Sequence, residues 1–388
     1  MSAAGRRSVT RRLPRPTGWL ARLAVVAGLV VLACLGVLAW QLARPGAAQR
    51  SWSGVRLNQI QVLGTHNSYH QRLTAQERRY ARLAGSQESS LDYAYPSVAA
   101  QLRAGARVLE LDLYPDPTGG RYAHPLIRRL AGLPPLPGLD QPGTKVLHIA
   151  DADYRSSCPT LSGCLAELAE FDRAQPEHSP VFVMLELKSS QARVVGLGGA
   201  RSPAWDAATL GTVDAEISSA LGDRVVRPDD VRRAGSTLEQ SVLAGGWPSV
   251  AAARGQTVFA MLNPPGPVRT AYLAGHPDLA GREVFTNAEP GQPDAAFLKR
   301  DDPRSTDGGS IATLVSRGYL VRTRADDAGA LAVARASGAQ LISTNSIAPI
   351  TDSGSRAAPG DGAAGPLNVV RCDPVSAGPG CPDGGADF

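Results

Sequence analysis

The chain has 388 residues, with 40 Lys and Arg against 35 Asp and Glu, 43% apolar residues and 5% aromatic ones. That apolar fraction excludes a wholly disordered chain, and five cysteines are too few for a small disulfide-built scaffold of this length. The formal charge of +5 belongs to the leader: residues 1–48 hold seven arginines and no acid, which leaves 33 basic and 35 acidic groups elsewhere, so the basic balance is no sign of a nucleic-acid partner.

In chain order, residues 1–22 form a basic segment, and Leu23 to Trp40 is an apolar run of 18, just long enough to span a bilayer. The arginines before it predict a cytoplasmic amino end with the bulk of the chain outside. A cleaved signal peptide is the rival reading, with Gly46, Ala47 and Ala48 as the cut site. The protein is thus extracytoplasmic, held at the cell membrane if uncleaved and secreted if cut near Ala48. Cys34 reads as a small apolar residue of that helix. Residues 41–56 read as a tether, 57–349 as a catalytic barrel, and 350–388 as a Gly/Pro-rich tail packed on it.

Within 57–349, strand-like and helix-like stretches alternate. Strands are predicted at 58–63, 107–114, 145–149, 180–188, 257–262, 283–286, 319–323 and 340–344. Helices are predicted at 98–104, 161–174, 210–221 and 326–336, with no clear strand over 225–255. This rhythm fits an α/β fold of the TIM-type (β/α)8 barrel kind, in regular or distorted form. No G-x-G-x-x-G follows the first strand, which counts against a dinucleotide fold. The four cysteines beyond the leader allow three pairings, and short loops favour Cys158–Cys164 and Cys372–Cys381.

The strand ends carry the chemistry. The first runs into LGTHNSYH, placing His66 and Asn67 after a glycine. The second, RVLELDLY, puts Glu110 and Asp112 on one face and leucines on the other. The third ends near His148, followed by Asp151 and Asp153. The fourth, VFVMLELK, puts Glu186 and Lys188 on one face. In a barrel these ends share one rim, where active sites lie. Inward carboxylates repel unless a cation or proton separates them. Three carboxylates and an amide oxygen make a hard-oxygen site that suits calcium, with magnesium as the second choice and zinc the poorer fit. His70 and His124 read as surface or loop residues, and His178 and His276 as turn residues.

Taken together, HNSYH, QLRAGARVLELDLY, KVLHIADADYRSSC, LELK, RPDDVR, GWPSV, RTRAD, SGAQLISTN and RCDP resemble the calcium-dependent phosphoinositide-specific phospholipase C family in its bacterial single-domain form, over roughly residues 57–382. The resemblance implies His66 and His148 as catalytic histidines and Asn67, Glu110, Asp112 and Glu186 as calcium ligands. Glu110 is also the first choice for the base. Lys188, Arg322 and Arg324 are implied as phosphate or inositol contacts, although ion pairing with Asp326 or Asp327 accounts for the two arginines equally well. The sequence departs from the family where STDY is common: it has Ser343-Thr344-Asn345-Ser346. It also has Asp373 where asparagine is usual.

The resemblance implies cleavage of phosphatidylinositol to diacylglycerol and a cyclic inositol phosphate, by internal attack of an inositol hydroxyl. The implied partners are an inositol lipid and a membrane surface, with no nucleic acid and no obligate protein partner. Residues 126–139 are the candidate lipid-facing loop. A glycerophosphodiester phosphodiesterase is the nearest enzyme alternative, though Asn67 stands where that family has arginine. An inactive cell-surface inositide-binding protein is the alternative of another class.

Overall fold

Runs of branched and aromatic apolar residues supply the strands, as their preference for a pleated, buried surface requires. They are β1 (Ile60–Thr65), β2 (Val108–Tyr114), β3 (Lys145–Val146), β4 (Val181–Leu187), β5 (Thr257–Met261), β6 (Val284–Thr286), β7 (Phe297–Lys299), β8 (Leu320–Arg324), β9 (Leu341–Thr344) and β10 (Arg371–Cys372). The computed structural model describes Gly18 and residues 52–81, 92–326, 328–345, 347 and 370–382. The apolar run 23–40, most of the tether and most of the tail lie outside these residues. Among the described residues no helix is long and apolar enough to cross a membrane.

Eight strands pair in parallel in the order β6-β5-β4-β2-β1-β9-β8-β7. The ring is nearly closed. Between β6 and β7 a single parallel bridge joins Asn287 to Phe297, backed by Ala288 N donating to the Phe297 carbonyl at 3.2 Å and Lys299 N donating to Asn287 Oδ1 at 2.9 Å. Helices on the connections cover the outside. Leu161–Ala174, capped by Thr160, buries Leu161, Leu165, Leu168 and Phe171, and Ala207–Leu221 is capped by Asp206. No helix lies between β6 and β7, where the barrel departs from a regular (β/α)8 repeat.

The strand count matches expectation, but one member differs. Lys145–Val146 is not a barrel strand: it is a two-residue antiparallel rung on β2, pairing Leu113 with Val146 and Tyr114 with Lys145. A short buried apolar run such as KVLHI has the same pattern in a loop as in a strand. The place in the ring belongs to β7, whose three residues sit in a Pro- and Asp-rich stretch that hides them. Over 225–255 the chain forms the short helices Pro228–Val231 and Leu238–Leu243. Both expected disulfides form, Cys158–Cys164 and Cys372–Cys381. The second staples β10, which pairs antiparallel with the start of β1.

Register fixes what the barrel interior contains, because cross-strand partners share a face. Asp112 pairs with Glu186 and Glu110 with Met184. Arg322 pairs with Leu341 and Lys299, and Arg324 with Ser343. Toward the amino ends the same face carries Val108, Phe182, Val258, Phe297 and Leu320. The interior is therefore apolar at the bottom and densely charged at the carboxyl-end rim.

Candidate active site

β1 leads the site residues in. Gly64 lies against Val108 so closely that a methyl group there would run into the Val108 carbonyl. Beyond this point β1 leaves β2, and Ser68 makes the connection through both its side chain and its backbone. Ser68 Oγ accepts from Glu110 N at 2.8 Å, and Ser68 N donates to the Glu110 carbonyl at 2.9 Å. Gln101 braces the turn, accepting from Thr65 Oγ1 at 2.7 Å and donating to the Ser68 carbonyl at 2.6 Å. Asn67 takes a left-handed backbone with φ 51°, which asparagine tolerates better than most residues. Its amide donates to the Tyr93 hydroxyl at 3.2 Å.

Glu110, Asp112 and Glu186 bring carboxylate oxygens within 4.8 Å of one another. Protein cations separate them. Lys188 Nζ lies 3.1 Å from both Asp112 Oδ2 and Glu186 Oε1. Arg322 Nη2 lies 2.5 Å from Glu110 Oε2, and its other nitrogen pairs with Asp301. Asp112 is fully buried, and neither of its oxygens accepts a hydrogen bond of good geometry, the nearby ammonium notwithstanding. Burial pushes its pKa up to about 7, with Lys188 and His148 only partly offsetting this and Glu186 and Glu110 adding to it. For Lys188, burial works against the charged form, yet Asp112 and Glu186 raise its pKa above the ordinary value.

Two histidines flank this cluster with opposite biases. His66 Nδ1 lies 2.6 Å from the Asn345 side-chain oxygen, so Nδ1 donates and Nε2 is left facing Glu110 Oε1 at 3.4 Å. Burial, then Arg324 and Arg322, hold its pKa well below the usual histidine range, against the Asn345 hydrogen bond and Asp326. His148 Nδ1 lies 2.7 Å from Asp153 Oδ2. Burial again disfavours its charge, but the hydrogen bond and charge of Asp153, with Asp112, outweigh it and raise the pKa.

The residues named in the sequence as catalytic, calcium-binding or substrate-binding, His66, Asn67, Glu110, Asp112, His148, Glu186, Lys188, Arg322 and Arg324, come to this rim. Arg322 is committed to Glu110 and Asp301. Arg324 is partly exposed, 2.7 Å from Asp326 and 3.5 Å from His66 Nδ1. Asp327 and Ser346 lie outside the described residues. His148 reaches the rim from a turn after β3 rather than from a barrel strand, held where Ile149 bridges Asp153 and Asp151 takes a left-handed φ of 73°. His70 is not a surface residue: it is buried, on Asp153 and the Tyr93 carbonyl. His178 is also buried, paired with Asp172. Sequence reasoning read His70 as a surface or loop residue, marked Asn345 only as a departure from the family's STDY, and passed over Tyr93. The only signals were the polar HNSYH and STN runs at strand ends.

A family model for calcium-dependent phosphoinositide phospholipase C matches residues 55–357. The chain belongs to this family. Among solved structures, a calcium-dependent phosphatidylinositol-specific phospholipase C from Streptomyces antibioticus aligns with a TM-score of 0.50 at 20% identity, covering 75% of this chain and 95% of its own. A calcium-dependent phosphoinositol-specific phospholipase C from a Pseudomonas species aligns with a TM-score of 0.49 at 14% identity, covering 76% and 91%. The first likeness supports the barrel fold. Among curated proteins no sequence matches significantly.

The phospholipase is thus a calcium-dependent phosphoric diester hydrolase, and its donor set fits the ion. The carboxylate cluster offers hard oxygen ligands, and the buried, poorly bonded Asp112 has oxygens to spare.

Proposed function

We propose that this phospholipase cleaves phosphatidylinositol between phosphorus and the glycerol oxygen, through attack by the neighbouring inositol hydroxyl. The observation that carries this reading is two histidines held at one carboxylate cluster: His66 Nε2 lies 3.4 Å from Glu110 Oε1, and His148 is fixed through Nδ1 by Asp153 at 2.7 Å, the arrangement an acid and a base require. A new inositol-oxygen–phosphorus bond forms and the glycerol-oxygen–phosphorus bond breaks, giving diacylglycerol and a cyclic inositol phosphate.

Asn67, Glu110, Asp112 and Glu186 are the residues that would hold calcium. Once bound, the ion supplies positive charge that acidifies the attacking hydroxyl and offsets charge on the phosphate oxygens. Glu110 Oε1 and His66 Nε2, 3.4 Å apart, form the pair that takes the hydroxyl proton. His148, its Nδ1 tied to Asp153, gives a proton from Nε2 to the departing glycerol oxygen. Arg322 fixes Glu110 in place. Arg324 and Lys188, each partly exposed, face the phosphate and the inositol ring. An internal nucleophile removes much of the entropic barrier to attack.

The lipid-facing surface consists of two rim loops. Asp151 joins them, accepting from Leu126 N and from Ala200 N, each at 2.6 Å. Arg129 donates across to the Gly198 carbonyl at 2.6 Å. Leu130 and Leu197, 50% and 53% exposed, project from these loops beside arginines, which suits an anionic bilayer. Disulfides in both halves of the chain support an extracytoplasmic location, with the apolar run 23–40 as anchor or signal core.

Diacylglycerol release from phosphatidylinositol mixed micelles tests the assignment of the two histidines. His66→Ala and His148→Ala should each lower kcat by about 100-fold or more while calcium binding is retained. Wild-type turnover in either variant would remove that histidine from the chemistry.

A further inference from the structure

His70 lies outside the set of residues given roles above, yet both of its ring nitrogens are engaged. Nδ1 is 3.0 Å from the Tyr93 carbonyl oxygen, which can only accept, so Nδ1 carries a hydrogen. Nε2 is 2.9 and 3.1 Å from the two oxygens of Asp153. The ring stacks on Tyr93 with centroids 4.2 Å apart, which fixes its plane. Asp153 is fully buried and also accepts from His148 Nδ1 at 2.7 Å.

A bare ring nitrogen and an ionised carboxylate are both acceptors and repel in contact. The His70–Asp153 contact must therefore contain a proton in addition to the one on Nδ1, and the pair carries no net charge. The spacing is that of hydrogen bonds rather than of ligands sharing one metal ion. Ligand atoms each about 2 Å from a tetrahedral ion stand more than 3 Å apart, whereas Asp153 Oδ2 is within 2.9 Å of one ring and 2.7 Å of the other. The balanced pair still accepts the His148 Nδ1 hydrogen, and so turns His148 Nε2 outward. It does so without an unbalanced carboxylate beside the imidazolium, which would hold its proton back.

We propose that His70 is a positioning residue for catalysis: through Asp153 it fixes the tautomer of His148 and balances the carboxylate, so that His148 can release its Nε2 proton to the glycerol oxygen. The proton moves from His148 to that oxygen as the phosphorus–oxygen bond breaks, and the bonding electrons stay with the oxygen. His70 itself exchanges nothing. The inference rests on the reading of His148 as the acid, and the test separates the two.

The full-length, calcium-loaded enzyme in detergent micelles, labelled with nitrogen-15 at histidine, is the first sample. His70 should show two protonated ring nitrogens, and His148 a hydrogen on Nδ1. A His70 with one bare nitrogen overturns the proposal, and this result requires no variant to fold. The second experiment compares phosphatidylinositol with an inositol phosphodiester bearing a nitrophenyl leaving group, which needs no acid. His70→Phe should lose about 100-fold in kcat on the lipid, with KM and calcium affinity unchanged, and lose little on the aryl ester. Equal losses on both substrates overturn the positioning role. His148→Ala serves as the control: if it too loses equally on both, the acid assignment fails first, and the role of His70 with it.

Discussion

Asp112, proposed above as a calcium ligand, is the side chain through which metal binding would be tied to folding. Its pKa rises from an unfolded value near 3.9 to about 7 because it is buried, and the ammonium of Lys188 offsets this only in part. The folded state therefore holds that proton more tightly than the unfolded chain. The stability this contributes is fully present below about pH 4 and is lost as pH rises through about 7. Calcium binds only the folded carboxylates, and at a hundredfold excess over its Kd returns about 2.7 kcal/mol. The Tm of chelated enzyme should fall as pH rises over this range and recover with calcium, and Asp112→Asn should flatten both responses. Calcium stabilising Asp112→Asn as much as wild type would contradict Asp112 as a ligand. The carboxylates were legible because strand alternation places Glu110 with Asp112 on one face, and the two site histidines because each follows a short apolar run. The partners of His66 and His148 were not. Asn345 and Asp153 act through contacts that cross the fold or a turn, and pattern carries no record of those.

At the scale of elements, the crossing of β1 and β2 sets the site. The two strands share one registered pair, Gly64 with Val108, before Ser68 takes over the connection to Glu110. No side chain fits at that crossing, so Gly64→Ala must push β1 off β2, and with it His66 and Asn67 away from Glu110. The expected cost is about 3 kcal/mol, read as a lower urea midpoint together with lost activity. Wild-type stability for Gly64→Ala would show that the two strands do not meet so closely. The barrel's longer strands were readable from continuous apolar runs, as parallel strands covered on both faces should be. β3 and β7 were exchanged because each is too short for a pattern: a buried rung of a loop imitates a strand, and a three-residue strand among prolines and acids imitates a loop.

At the scale of the whole molecule, the question is how a water-facing barrel reaches a lipid. Leu130 and Leu197 project from neighbouring rim loops that Asp151 ties to the turn carrying His148, so the surface proposed to meet the bilayer is built onto that turn. Leu130→Ser with Leu197→Ser should weaken binding to phosphatidylinositol vesicles and slow their hydrolysis severalfold, while leaving turnover of a monomeric short-chain substrate unchanged. Equal losses on both substrates would assign these leucines to folding rather than to the interface. The span 126–139 stands out in the sequence by its apolar content. Which of its leucines reach solvent does not, since Leu126 and Leu139 are buried and Leu130 is exposed.

Phosphorus NMR of phosphatidylinositol micelles, run with the full chain in calcium, in magnesium and in chelator, tests the central claim most directly. A cyclic inositol phosphate resonance that grows with calcium and vanishes with chelator is the expected result, since it reports the ion and the internal nucleophile in one spectrum. A folded enzyme that releases only acyclic phosphate from the outset, or turns over equally in chelator, would contradict it.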